Sequence, residues 1–170
     1  GAFHRTATPA RRMRVVAGTY RGRRLVTPAG AQTRPTADRV REAVFSMLGP
    51  LEGCDVLDLF AGSGAMAVEA LSRGARSAVC VDSSPAAIAA MTRNRVILDD
   101  ATSLEIWRSD WRGALRRAER ATRVFGLCLL APPYSLLPRI AGELAASLVP
   151  VLQVGATIVV ESAASHGPVE

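Results

Sequence analysis

The sequence predicts an open, mostly parallel α/β sheet with helices on both faces, and three observations carry that prediction. From Cys54 onward, strand-like and helix-like segments alternate in strict order. The first of those strands runs straight into a glycine loop, "DLFAGSGAMAVE", that opens a helix. The chain has 170 residues, 49% of them hydrophobic, enough for one domain with a core of its own.

Taken in order, residues 1–12 read as a polar, arginine-bearing tail, with Gly1 set aside, and residues 13–170 as a single domain. "MRVVAGTYRGRRLVTP", residues 13–28, reads as a basic β-hairpin with strands Met13–Ala17 and Arg23–Val26 around a glycine-containing turn. Arg14, Arg21, Arg23 and Arg24 stud it; a solvated edge ribbon and a ribbon laid on phosphates both fit, and the arginine density favours the second. "RPTADRVREAVFSMLGP" reads as a helix with Thr36 as N-cap, Asp38 in the first turn and Gly49-Pro50 as the stop. Val40, Ala43, Val44, Met47 and Leu48 share its apolar face, with Arg34, Arg39, Arg41 and Glu42 largely elsewhere.

The alternating part follows. "CDVLDLF" is a buried strand, "GAMAVEALSRG" a helix closed by Gly74, and "SAVCVD" a strand. Ser84-Pro85 supplies a cap and a first-turn proline for "AAIAAMTRNRVIL". "SLEIWRSD" is the next strand, "WRGALRRAERA" a helix and "VFGLCLLA" another strand. "LLPRIAGELAASLV" sets Leu137, Ile140, Leu144 and Leu148 on one helical face, and "ATIVVES" is the last strand.

The net charge is +6 and the pI about 10.5, and all 21 basic residues are arginine. Compositional bias accounts for that as well as a phosphate-rich partner does. Cys54, Cys80 and Cys128 lack metal-ligand spacing and read as small core residues in a reducing compartment; no metal site is expected. Neither a secretory pattern nor a membrane-length apolar run is present in the sequence, so a cytoplasmic protein without membrane contact is expected.

The glycine loop holds the chemistry. Gly62 and Gly64 let backbone turn tightly against a ligand at a helix N-terminus. The dinucleotide fingerprint is incomplete, because Met66 and Ala67 follow where its last glycine would fall. Asp58, just before the loop, disfavours a pyrophosphate and suits a cationic ligand, which moves the reading from NAD toward S-adenosylmethionine. Asp82 ends the second strand, where a carboxylate accepts ribose hydroxyls; Ser83 follows it. Asp110 ends the third, placed for an adenine amino group, and Trp111 is expected to cover the ring. At the fourth, "LCLLAPPYSLL" arrests an apolar strand at two prolines and presents Tyr134.

With these residues in order, the chain resembles class I S-adenosylmethionine-dependent methyltransferases. The closer resemblance is to the bacterial 16S rRNA guanine-N2 methyltransferases of the RsmD type. "AGTYRGRRL", "TRPTADRVREAVFSML", "VLDLFAGSGAMAVEALSRGA" and "LAPPY" carry it, spanning most of the chain from Arg14 to Glu161. The resemblance implies a Rossmann-like sheet and methyl transfer to the exocyclic amine of a guanine in small-subunit rRNA, by a monomer. It implies that Asp58, Phe60, Ala61, Gly62, Ser63 and Gly64 hold the methionine part of the cofactor, Asp82 the ribose and Asp110 the adenine. Arg34, Pro35 and Thr36 would border the active site, with Arg39 beside them toward RNA. Ala131, Pro132, Pro133 and Tyr134 would receive the target base. Glu69 lies in the matching block, with an ordinary helix carboxylate as its simplest role.

The chain departs from the family's pattern in two places. Ala131 stands where family members carry Asp, and related amine methyltransferases Asn or Asp. The family's usual closing pair of strands is not found in the sequence after "IVVES"; a shortened sequence and a member that ends early both fit, and an uncovered sheet edge is the expectation. Ala131 supplies no side-chain oxygen to the target amine. The expectation is slow methylation or none, with cofactor binding kept; an engineered change, natural decay or another acceptor would each account for the alanine. Competing readings are a cofactor- and RNA-binding protein with little catalysis, a DNA amino-methyltransferase, for which the chain has no room for a target-recognition region, and an NAD enzyme.

Overall fold

The computed structural model describes residues 13–30 and 37–161. The proposed tail and Arg34, Pro35 and Thr36 lie outside them. Five strands form one sheet: β1 (Asp55–Leu59), β2 (Ser77–Asp82), β3 (Leu104–Arg108), β4 (Phe125–Leu130) and β5 (Leu152–Val160), in the order β3-β2-β1-β4-β5. Every pairing is parallel. The helices between them are α1 (Ala37–Leu48), α2 (Ala65–Ser72), α3 (Pro85–Arg95), α4 (Trp111–Arg120) and α5 (Leu137–Leu148).

Side chains alternate across each strand, which builds two cores. Val56, Ala78, Cys80, Leu104, Leu127 and Leu129 face α1, α2 and α3 together with the N-terminal ribbon. Leu57, Leu59, Val79, Val81, Phe125 and Leu130 face α4 and α5. The α/β sheet with helices on both faces is therefore as the sequence predicts. On α5, Ile140, Leu144 and Leu148 are buried as their spacing requires. Ser84 caps α3 through the Ala87 N–H, with Pro85 in the first turn. All three cysteines are free, and burial raises the pKa of each thiol.

Three expectations need correction. The N-terminal hairpin is shorter than the predicted strands: it pairs antiparallel at the Arg14–Arg24 bridge, with the Leu25 N–H donating to the Met13 carbonyl at 2.8 Å and the Val15 N–H to the Arg23 carbonyl at 3.0 Å. Only Met13, Val15 and Leu25 of the ribbon are buried, and side chains of α2 and α3 accept the N–H groups of Val16, Ala17, Tyr20 and Val26. On α1 the apolar face is rotated. Arg41 and Phe45 are buried, whereas Val40 and Met47 are exposed, Met47 by 82%. A hydrophobic count cannot find that face, because its central residue is an arginine. Finally, β5 starts at Leu152, four residues before the predicted strand. Gly155, at φ +78°, absorbs a register irregularity against β4 and lets both halves pair as one strand.

Arg41 is buried because of Glu69. The Glu69 side chain is completely enclosed on α2 and each oxygen accepts twice. Oε1 takes the Val16 N–H at 2.8 Å and Arg41 Nε at 3.1 Å. Oε2 takes the Ala17 N–H at 3.1 Å and Arg73 Nε at 2.9 Å. Arg41 also donates to the Arg14 carbonyl and, at 2.9 Å, to Asp38. One carboxylate thus joins the ribbon, α1 and α2. Truncating it leaves the buried Arg41 with the half-exposed Asp38 as its one remaining carboxylate and leaves the Val16 and Ala17 N–H groups without their acceptor. Glu69→Ala is expected to cost about 3–5 kcal/mol of unfolding free energy in urea titration; a loss below about 1 kcal/mol would mean the ribbon and α1 dock without it.

Candidate active site

The C-terminal ends of the strands gather the predicted residues. A cleft of about 180 Å³ opens there, with Asp58, Phe60 and Ser63 from β1 and its loop, Arg41 from α1, Ala131 after β4 and Glu161 after β5. Parallel pairing dictates which of these share a face. Asp58 is level with Leu129, and Leu129 with Val159. Ala131 and Glu161 are each two residues further on, so they form the next row of the same face, whereas Phe60, beyond the end of β1, packs against the α4–α5 core as well as lining the cleft.

The loop after β1 is tightly wound. Phe60 is left-handed at φ +59°, an unusual conformation for a residue with a side chain. Gly64, at φ +75°, caps α2; a Cβ there would approach Met91 Cγ to 3.1 Å. Asp82 closes the loop onto β2, accepting the Gly62 N–H at Oδ2 and the Ser84 N–H at Oδ1, both at 2.9 Å. Each oxygen keeps acceptor capacity for a further donor. Ser83 beside it is exposed.

Asp58 is the unusual group. It is 2% exposed, and its Oδ2 has no hydrogen-bond partner. Burial, opposed by a bond from the Ala67 N–H and aided by the nearby carboxylates of Glu161 and Asp82, pushes its pKa up to about 8. An enclosed carboxyl with a free oxygen facing a cleft is built for a cationic partner.

Asp110 lies at the end of β3, away from this cleft. It caps α4 by accepting the Gly113 N–H at 2.7 Å through Oδ1. The expectation for Trp111 is not met: its ring is 5% exposed and packs in the α4–α5 core, with the Arg112 guanidinium 4.5 Å from its centroid. The spacing that puts Trp111 next to Asp110 also puts it at the first position of α4, whose inward side it fills.

At the end of β4, the Ala131 N–H reaches the Leu59 carbonyl at 3.3 Å. Pro132 is buried, Pro133 exposed, and Tyr134 presents its ring with 62% exposure. The Pro133 carbonyl starts the turn into α5 by accepting the Leu136 N–H at 2.9 Å, whereas among the described residues the Pro132 carbonyl meets no backbone donor.

Of the arginines expected to meet phosphate, Arg14, Arg21, Arg24 and Arg39 are exposed. Arg14 donates to the Gly22 carbonyl at 3.1 Å. Arg23 is substantially engaged within the chain: it lies 4.9 Å from the Tyr20 ring centroid, donates to the Ile97 carbonyl and sits 3.8 Å from Asp99. Sequence reasoning missed Asn94. This buried side chain accepts the Val26 N–H at 2.8 Å and donates to the carbonyls of Val26 at 2.9 Å and Ser63 at 2.8 Å, tying the ribbon to the glycine loop. Its one sequence signal is an amide among the apolar positions of α3.

The sequence profile of the family described as "Conserved hypothetical protein 95" matches residues 13–170. The chain belongs to that family. It is 42% identical over 123 residues to the "Putative rRNA methyltransferase YlbH" of Bacillus subtilis, covering 72% of this chain and 67% of that protein. It is 41% identical over 87 residues to "Ribosomal RNA small subunit methyltransferase D" of Escherichia coli K12, covering 51% of this chain and 44% of that one. The match thus spans less than half the length of that enzyme. Among solved structures, the "Putative methyltransferase yhhF from Escherichia coli" superimposes with a TM-score of 0.76 at 31% identity, over 92% of this chain and 85% of the other. The fold is that of the S-adenosylmethionine-dependent methyltransferases.

Asp58 makes the stability of the protein sensitive to pH. In the folded chain its carboxyl holds a proton up to about pH 8, against an ordinary value of 3.8. Between these values unfolding releases that proton, so raising the pH through this window takes stability away. Relative to the parent chain, Asp58→Asn is expected to gain stability from pH 5 to pH 8, read from urea midpoints. Parallel profiles would mean that Asp58 ionises normally.

Proposed function

We propose that this chain transfers a methyl group from S-adenosylmethionine to the exocyclic N2 amine of a guanine in 16S rRNA of the small ribosomal subunit. The single observation that carries the cofactor half is the unpartnered, buried oxygen of Asp58 at the glycine loop. The residues fit the cofactor: Asp58 suits its amino group, the loop through Phe60, Ala61, Gly62, Ser63 and Gly64 the rest of its methionine part, Asp82 with Ser83 the ribose, and Asp110 the adenine. When bound, the cofactor supplies an electrophilic methyl group on a cationic sulfur. The rRNA half rests on family membership and on relatives whose names state rRNA methylation. Small-subunit RNA as partner, action as a monomer and a cytoplasmic setting complete this reading.

The chain's own groups then have distinct tasks. A guanine amine is a poor nucleophile, because its lone pair is delocalised into the ring. Acceptors on its hydrogens favour the pyramidal geometry needed for in-line attack and stabilise the charge that develops. The Pro132 carbonyl is one such acceptor. Tyr134, 62% exposed, offers a stacking face to an unstacked base. Arg14, Arg21, Arg24 and Arg39 face the phosphates, with Arg23 in a lesser part and Arg34, Pro35 and Thr36 bordering the site in the family's pattern.

Ala131 adds no oxygen, so transfer is slower than with a carboxylate there. A comparable polar contact removed from other active sites costs about 100- to 1,000-fold. Tritiated cofactor and undermethylated small subunits provide the assay. Ala131→Asp is expected to raise kcat by about tenfold or more, with S-adenosylhomocysteine affinity unchanged in calorimetry; equal rates would remove the impairment from this reading. Tight binding of NAD with no response to S-adenosylhomocysteine would overturn the cofactor assignment. Because bound cation requires ionised Asp58, affinity for S-adenosylhomocysteine is expected to rise as pH goes from 6 to 8. That rise is expected to vanish in Asp58→Asn, where calorimetry in two buffers would also detect no proton release.

A further inference from the structure

We propose that the Glu161 carboxylate acts in place of the missing Ala131 oxygen, accepting a hydrogen of the target amine and then its proton. This rests on the methyl-transfer reading above and deepens it by naming a residue for the same site. The Glu161 N–H donates to the Leu130 carbonyl at 2.7 Å, which carries the β4–β5 ladder one step past its last pair, Leu130 with Val160. Ala131 and Glu161 are therefore neighbours across two strands that lie about 4.8 Å apart. They share a face, because each is two residues beyond Leu129 and Val159, which contribute to the same core. Both line the cleft that contains Asp58. A glutamate side chain is long enough to bring its oxygens from the neighbouring strand over the methyl of Ala131.

The electrostatics agree with this position. Glu161 contributes to the raised pKa of Asp58, in keeping with both carboxylates lining one cleft. The cation in the cleft wall, Arg41, is committed to Glu69, Asp38 and the Arg14 carbonyl. Among the described residues no arginine forms an ion pair with Glu161, so its oxygens keep their acceptor capacity.

The step balances with these groups alone. The amine lone pair forms the N–C bond to the methyl carbon. The C–S bond breaks, and its electron pair stays on sulfur as a neutral thioether. The surplus proton leaves nitrogen for the Glu161 carboxylate and passes from there to water. The Pro132 carbonyl accepts the other amine hydrogen throughout.

Glu161→Leu removes the oxygens and Glu161→Gln keeps one. On undermethylated small subunits, Glu161→Leu is expected to lower kcat about 100-fold and Glu161→Gln less, with KM for the subunit and calorimetric affinity for S-adenosylhomocysteine held within about threefold. Adding Ala131→Asp to Glu161→Leu is expected to restore most of that loss, which a folding defect would not allow. Transfer by Glu161→Leu within about threefold of the parent would overturn the inference while leaving the methyl-transfer reading intact. So would a tenfold or greater loss of S-adenosylhomocysteine affinity, which would assign Glu161 to the cofactor. A parent chain that binds S-adenosylhomocysteine but methylates no small subunit would overturn the substrate reading and this inference together.

Discussion

The enclosed Glu69 carboxylate is the constraint on which the rest of the site depends. Four donors from three directions converge on it. A buried charge is tolerated only when its lone pairs are filled, and here two arginines and two backbone N–H groups fill them. The same bonds decide where the ribbon runs, because Val16 and Ala17 have no ladder partner that could satisfy them equally. Ser72 and Asn94 extend the arrangement: Ser72 Oγ accepts the Tyr20 N–H at 2.9 Å, and Asn94 holds both backbone groups of Val26. The ribbon is thus fixed by side chains from α2 and α3 in addition to its own short antiparallel pairing. That is how a segment with one bridge positions Met13 and Arg41 in the wall of the cleft.

Glu69 and Asp58 are two buried carboxylates with opposite treatment. Glu69 has every oxygen engaged within the chain. Asp58 has one oxygen engaged by a backbone N–H and one left without a partner. The first arrangement stabilises the fold. The second costs stability, and the cationic cofactor proposed above would offset that cost on binding. Such a cost is characteristic of groups kept for function, since a hydrophobic residue of similar size would pack there with less penalty.

The fold was legible in the sequence where one residue type settles one local question. Alternating segments gave five strands and the helices between them, Ser84-Pro85 gave the start of α3, and the glycine loop gave the turn after β1. Legibility stopped where a polar group is buried by a distant partner. Arg41 looks like a surface residue of α1 until Glu69, 28 positions away, is brought against it. Asn94 looks like a helix interruption until Val26, 68 positions away, reaches it. Local periodicity contains no information about either pairing. Trp111 failed for a related reason: adjacency in sequence to a strand-end carboxylate was read as adjacency to a ligand, whereas the first turn of α4 sends that side chain inward to the core.

The strand-end residues illustrate why a parallel sheet tolerates change in its site. Side chains at the carboxyl ends fall into rows that cross neighbouring strands, and one row brings together Ala131 and Glu161. A function that needs an oxygen over a given point in the cleft can draw it from the strand below that point or from the next strand in the row. The two sources are not equivalent. An oxygen on residue 131 would sit on a short side chain, held by the buried Pro132 and the β4 ladder. One on Glu161 sits at the end of a longer side chain on a strand whose outer residues are exposed, and it must lose more rotamer freedom to reach the same place. The geometry thus predicts the order of effectiveness, with carboxylate at 131 first and carboxylate at 161 second. It also explains how a chain with alanine at the strand end keeps a chemically coherent cleft.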